Sequence, residues 1–183
     1  MTRTRFVAIA VAALAAGFGS SFAGEARSAP EPQIVLKPVQ HSRVGRVEGT
    51  QAFIALSFQR GRLRAYVCDG TARRRHTLSQ WLEGAWDGRS PRTLVRAGVT
   101  LRIEAVEGGG RVRGRLWAFG GPHRFAVVPT TGPAGLYDGR GATWIVLAGR
   151  SVRGAMVDPR PKRCVPVVVT GSDGKQEWVV VCR

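Results

Sequence analysis

Cysteine and histidine are the residue types of this chain best suited to covalent or metal chemistry, and each occurs three times. They are Cys68, Cys164, Cys182, His41, His76 and His123. A thiol nucleophile needs an imidazole within hydrogen-bond reach. His76 follows Cys68 only after a basic loop, and nothing in the sequence fixes the two side chains together. We therefore predict that Cys68, which ends an apolar run, is a buried free thiol.

The other sequence patterns typical of active sites are missing. No histidine has a partner at a metal-ligand spacing such as Cys-x-x-Cys or His-x-x-x-His. The twelve acidic residues are scattered and indicate no paired carboxylates for acid–base catalysis. The sequence has no Gly-x-Ser-x-Gly elbow, and the glycine-rich segment 108–114 lacks the Lys-Ser/Thr of a phosphate loop. The sequence therefore predicts no catalytic residue, no metal ligand and no cofactor.

The two C-terminal cysteines belong to a predicted β-hairpin. Its loop lies within 171–175, where Gly174 can supply the positive φ that a three-residue hairpin loop needs. Pairing the two strands about Asp173 places Cys164 opposite Cys182, with their Cβ atoms within disulfide reach. We predict that these two cysteines form a disulfide.

The N-terminal segment has the three parts of an export signal. Arginines precede an apolar run over 6–18, and 21–23 places small side chains at both positions that a signal peptidase reads. The apolar run is shorter than the ~20 residues of a membrane-spanning helix. Residues 1–23 are therefore predicted to be a helical signal peptide, with the mature chain starting near Gly24 or, alternatively, Ala26. The mature protein would be secreted or cell-wall associated, without an integral membrane span.

The composition is strongly basic, with 28 Lys and Arg against 12 Asp and Glu and a net charge of +16. Such a charge attracts polyanions. However, 25 of the 28 cations are arginine, as a GC-rich genome favours, and only 73–76 and 160–163 form local clusters. The arginines therefore fit either a solvated basic surface or a dedicated polyanion site.

Short runs of alternating apolar and polar residues, separated by glycine-rich turns, indicate an all-β fold. We predict an antiparallel meander of about ten short strands over 50–183, closed as a barrel or folded as a sandwich. Residues 50–128 and 136–183 would be separate sheet halves. The proline-rich segment 24–49 is predicted to be a flexible tether, in which 34–36 is either an edge strand or disordered.

One predicted strand carries the best candidate for a binding surface. A tight turn at 108–109 would place Glu104 opposite Arg113 on the solvent side of the sheet. If the apolar residues of this strand point inward, its aromatic and basic side chains point outward, where they could stack on a ligand or anchor a protein. If other strands cover both faces, the aromatic rings belong to the core. The candidate binding residues are Arg111, Arg113, Arg115 and Trp117.

Several strings in the domain resemble a known group of proteins. They are AYVCDG at 65–70, WLEG at 81–84, GPAGLY at 132–137 and WIVL at 144–147. Together they resemble a family of small exported β-rich proteins of GC-rich Gram-positive bacteria, built from a signal peptide, a proline-rich spacer and this domain. The family has no assigned activity, so the resemblance implies a fold and a location but no catalytic residues.

The sequence thus predicts an exported, non-enzymatic β module of the cell envelope or the medium. Its partner would be an anionic polymer of the envelope or a protein, bound through the basic, aromatic-bearing face. The alternative is an exported enzyme, such as a hydrolase, or an enzyme inhibitor that acts through a barrel cleft.

Overall fold

Alternating sequences with frequent glycine turns form antiparallel strands throughout the described part of the chain. The computed structural model describes residues 34–71, 74–139, 141–149, 151–156, 164–171 and 173–182, and these belong to one compact unit. The predicted signal peptide and its helix lie outside these residues. The fourteen strands are β1 (Ile34–Pro38), β2 (Ser42–Val47), β3 (Phe53–Gln59), β4 (Arg62–Cys68), β5 (Ser79–Ala85), β6 (Arg92–Arg96), β7 (Val99–Val106), β8 (Val112–Ala118), β9 (Gly121–Pro129), β10 (Gly135–Gly139), β11 (Ala142–Val146), β12 (Val152–Met156), β13 (Cys164–Thr170) and β14 (Gln176–Cys182).

Strands β2 to β9 form a nearly closed barrel. They form one eight-stranded sheet in the order β5-β4-β3-β2-β9-β8-β7-β6, so the last strand of this stretch, β9, pairs with the first, β2. The two end strands, β5 and β6, are also adjacent, since a Cβ atom on Gly84 would lie 2.6 Å from the Leu94 side chain. Alternate residues of each strand point inward and fill the barrel with buried apolar side chains, including Leu56, Leu101 and Phe125.

The other six strands form a second sheet that packs on the outside of the barrel. Their order is β12-β11-β10-β1-β14-β13, so the N-terminal strand lies between β10 and β14. Phe53 and Tyr66 on the outer side of the barrel meet Leu136 and Ile145 of this sheet in one buried cluster. The prediction of an all-β, antiparallel fold is confirmed, and the first sheet takes the barrel form.

Two details of the predicted organisation are wrong. The described part of the predicted tether contains β1 and β2, and β1 is an interior strand of its sheet rather than an edge. Pro38 does not prevent strand formation, because it stands at the last residue of β1, and Leu36 and Val44 are buried among apolar side chains. Residues 24–33 lie outside the described part of the chain. The predicted count of about ten strands is low because the sequence predicts neither β2 nor β10 and leaves β1 open between an edge strand and disorder.

The predicted C-terminal disulfide is confirmed. Cys164 faces Cys182 in the β13–β14 register and is bonded to it, with the Cα atoms 4.0 Å apart. Gly174 has the expected positive φ of 75°. In the chain-entropy account, a bridge around a loop of this size stabilises the fold by roughly 3 kcal/mol. Cys68 is a buried free thiol, as predicted.

No helix within the described ranges is long and apolar enough to cross a membrane.

Candidate anion-binding face

A bulge in β7 changes the predicted pairing of the candidate binding strand. After the 3₁₀ turn at Gly108–Gly110, Arg113 pairs with Ala105, and the register then shifts before Ile103 pairs with Gly114. The prediction that Glu104 lies opposite Arg113 is therefore wrong, because Glu104 is the residue left out of the pairing at the bulge. Beyond the bulge, the ladder follows the register that a turn at 108–109 predicts.

The predicted binding residues do lie on the outer side of the barrel. Val112 and Leu116 of β8 point into the core, so Arg113, Arg115 and Trp117 point away from it. Both arginines are exposed, and Trp117 is half-buried. Arg111 directly precedes the strand and is also exposed. The structure thus places these four side chains along one side of a single strand.

Two glutamates on the same side of the sheet neutralise part of this charge. Glu107 accepts from Arg113 Nε at 2.5 Å and lies 3.7 Å from Arg111 Nε. Glu104, displaced by the bulge, reaches Arg115 Nε at 3.2 Å instead of pairing with Arg113. The pairs are exposed, and each contributes little to stability. Their effect is to orient the three guanidinium groups.

Register brings two further arginines beside Arg115. Arg102 of β7 lies directly opposite Arg115, and Arg115 lies directly opposite Arg124 of β9. Neighbouring strands are about 4.8 Å apart, so three cations stand in one short row across the sheet. Like charges directly opposite each other destabilise a sheet. We call Arg102, Arg115 and Arg124 the arginine row.

Neither end of the arginine row is neutralised. Arg102 and Arg124 are exposed, and neither forms an ion pair within the described part of the chain. The sequence predicts neither of these two residues as part of the binding face. Each alternates with core residues, which shows that it points outward. Arg102 lies opposite Arg115 in the register that a turn at 108–109 predicts, and Arg124 lies opposite it because β8 and β9 join through a two-residue turn at Phe119–Gly120. We define the basic face as the arginine row together with Arg111, Arg113 and Trp117.

The structure gives Cys68 no features of a nucleophile. Its side chain is fully buried, and its Sγ accepts a hydrogen bond from the Gly70 amide at 3.3 Å. Burial raises the pKa of the Cys68 thiol above its ordinary value, so the thiol is protonated at neutral pH. Within the described ranges, no three His, Cys, Asp or Glu side chains form a group that could hold a metal ion.

The chain has no match among protein-family models, curated proteins or solved structures. The resemblance to exported β-rich proteins therefore remains a prediction from the sequence.

Proposed function

We propose that the protein is an exported binding module whose basic face holds an anionic polymer. The proposal is based on the arginine row, in which three arginines lie directly opposite one another across the sheet. Within the described part of the chain, only Arg115 has an acidic partner. Opposite charges stabilise a cross-strand pair and like charges destabilise it, so three opposed arginines lower the stability of the sheet. A bound polyanion would remove this repulsion.

A polymer fits the basic face better than a small molecule does. The face lies on the outer side of the barrel, and the arginine row crosses three strands over about 10 Å. Several charges are thus available to a linear ligand with repeated anionic groups. Trp117 follows Arg115 by two residues on the same side of β8 and offers a partly exposed ring for stacking. The filled barrel interior offers less support to the alternative of an enzyme with a barrel cleft.

The proposal predicts binding that is sensitive to salt and to the arginine row. With long-chain inorganic polyphosphate as the probe, affinity should fall steeply from about 50 mM to 200 mM salt, as each neutralised phosphate releases a counterion. The variant Arg102→Gln/Arg115→Gln/Arg124→Gln should bind at least about tenfold more weakly at the lower salt concentration, with a salt slope smaller by about 2. Fluorescence titration over the salt series measures both quantities.

A matched control separates the basic face from overall charge. The triple variant Arg62→Gln/Arg89→Gln/Arg96→Gln removes the same number of exposed charges outside the basic face. It should keep affinity within about twofold of the parent protein, because charges outside the basic face act on the polymer only through interactions that salt screens. Equal weakening in the two triple variants would assign binding to net charge and contradict a dedicated face. Affinity that does not change with salt would also contradict the proposal.

Export is the second part of the proposal. It depends on the signal-peptide pattern of residues 1–23, and the disulfide between Cys164 and Cys182 is compatible with an oxidising compartment outside the cytoplasm. The protein should be recovered from the culture medium or the wall fraction with its N-terminus near Gly24. N-terminal sequencing of each cell fraction tests this expectation. A full-length cytoplasmic product that begins at Met1 would contradict it.

A further inference from the structure

Two arginines from different sheets meet over one aromatic ring beside the basic face. Arg46 belongs to β2 of the barrel, and Arg153 belongs to β12 of the second sheet. Their guanidinium carbons lie 4.9 Å and 4.8 Å from the centroid of the buried Phe53 ring. Both guanidinium groups thus lie at the line where the two sheets pack, and Arg46 is close enough to act electrostatically on Arg153.

A third arginine lies at the same line. Arg74 Nη2 donates to the Asp69 carbonyl oxygen at 3.1 Å. The next residue, Gly70, accepts a hydrogen bond from the Gly154 amide at 3.0 Å, so this loop contacts β12 one residue from Arg153. We call Arg46, Arg74 and Arg153 the seam arginines.

Asp69, the carboxylate that acts electrostatically on Arg153, offsets only part of the charge of the seam arginines. Asp69 accepts hydrogen bonds from the Thr77 hydroxyl and from the amides of Thr77 and Leu78, at 2.5 Å, 2.8 Å and 3.0 Å. Burial alone would raise the pKa of Asp69, but these hydrogen bonds keep it below its ordinary value. None of the seam arginines has an ion pair among the residues that the structure describes. Three cations and one carboxylate leave a local charge of +2.

The guanidinium of Arg153 is held in place before any ligand arrives. Its Nε and Nη2 donate to the carbonyl and side-chain oxygens of Gln51 at 3.1 Å and 3.3 Å, and its Nη1 donates to the Val152 carbonyl at 2.9 Å. A guanidinium has five N–H groups, so two remain available. Burial lowers the pKa of Arg153, and the neighbouring Arg46 and Arg74 lower it further. A bound anion would relieve this repulsion.

We propose that the seam arginines bind a doubly charged tetrahedral oxyanion, a phosphate or sulfate group. A dianion matches the local charge of +2, whereas a carboxylate would neutralise only half of it. Planar guanidinium groups with paired N–H donors suit two oxygens of such a group. This site shares no residue with the basic face and does not depend on the proposed polymer binding.

The test titrates the full chain with inorganic phosphate at pH 7.5, with the ionic strength held constant by chloride. Ligands that bind only the native state raise its stability, so the Tm should rise and then follow the saturation of one site. Isothermal titration should give one phosphate per chain. Arg46→Gln and Arg74→Gln should each weaken phosphate binding at least fivefold. The double variant Arg62→Gln/Arg89→Gln, which removes two exposed arginines elsewhere, should bind phosphate as the parent does.

Two further comparisons identify the ligand class and the site. Sulfate should compete with phosphate for the same site, while acetate at equal ionic strength should have no effect. An acetate effect equal to that of phosphate would overturn the assignment of a dianion. Unchanged phosphate affinity in both Arg46→Gln and Arg74→Gln would overturn the site. The side chains of Arg46 and Arg74 are exposed, so we expect both variants to fold. The test therefore does not need a variant of the half-buried Arg153.

The arginine-row variant separates this proposal from the proposed function. Arg102→Gln/Arg115→Gln/Arg124→Gln should keep the parent affinity for phosphate even where it loses polyphosphate. Loss of phosphate binding in that variant would place the anion on the basic face and overturn the seam site.

Discussion

Above about pH 10, the free energy of unfolding should fall as the pH rises, by up to about 1.4 kcal/mol per pH unit for each buried acid that stays protonated in the native state. Three buried acids cause this loss: Tyr66, Cys68 and Tyr137. Burial is the largest cause that raises the pKa of each above its ordinary value. In the unfolded chain these groups release their protons at ordinary pKa values of about 8.5 for cysteine and about 10 for tyrosine. The native state then binds more protons than the unfolded state, so stability decreases as pH rises.

The geometry explains why the two tyrosines stay neutral. The Tyr66 hydroxyl lies 2.9 Å from Ser79 Oγ, and its ring packs against Trp81. The Tyr137 hydroxyl donates to the Pro133 carbonyl at 2.8 Å. Only 1% of each tyrosine is exposed. A phenolate at either position would lose its hydration and have little to replace it.

Chemical denaturation at a series of pH values between about 8 and 11 measures this slope. The chain has two tyrosines, so the ultraviolet absorbance of tyrosinate should stay near zero until the protein unfolds. Tyr66→Phe keeps the ring, removes one titrating group and should reduce the slope by about 1.4 kcal/mol per pH unit. A native protein that titrates both tyrosines below pH 10.5, or a stability that stays flat across this range, would contradict the prediction.

Gly114→Val should lower the free energy of unfolding by about 4 kcal/mol, at the upper end of the effects of overpacking. Gly114 faces the barrel interior, where its Cβ would lie 2.7 Å from Phe125 Cζ and closer still to the Arg102 carbonyl oxygen. The ring has little room to move in a close-packed interior, and the carbonyl belongs to the β7 backbone. Overpacking at this position therefore has to displace a strand.

Gly121→Val is the matched control. Gly121 lies in the adjacent strand β9, has no positive φ and has no heavy atom within 4 Å of the added Cβ. Its valine variant should stay within about 0.5 kcal/mol of the parent in denaturant unfolding, as surface substitutions usually do. Similar losses in the two variants would mean that valine acts through the strand backbone and not through the packing around Phe125.

The accuracy of the sequence predictions depends on how local each contact is. The pairing of Cys164 with Cys182 was readable because a single short loop determines the whole register of its hairpin. The β7–β8 hairpin was misread near its turn, where Gly109 and Gly110 both have positive φ and Glu104 is left out at the bulge. Such an extra residue has no distinct signature in an otherwise alternating strand.

Contacts between distant strands could not be read from the chain. The pairing of Arg124 with Arg115 is a more local case, because β8 and β9 are consecutive strands; it depends on the two-residue turn lying at Phe119–Gly120 and not one residue later. The seam arginines come from three separate segments, so their proximity depends on the packing of the two sheets. The charge of these residues was visible in the sequence, but the grouping of the seam arginines was not.

The position of β1 has a consequence for the order in which the chain can fold. The barrel comes from one continuous stretch, 42–129, whose hairpins close over short loops. Strand β1, by contrast, pairs at Ile34 with Cys182 and at Pro38 with Tyr137, so both of its partners are made after the barrel. Pairings between such distant residues form slowly, because a long loop must close first. During synthesis, the backbone groups of β1 therefore stay partly unpaired until the β13–β14 hairpin has been made. In that interval β1 can pair with a strand of another chain.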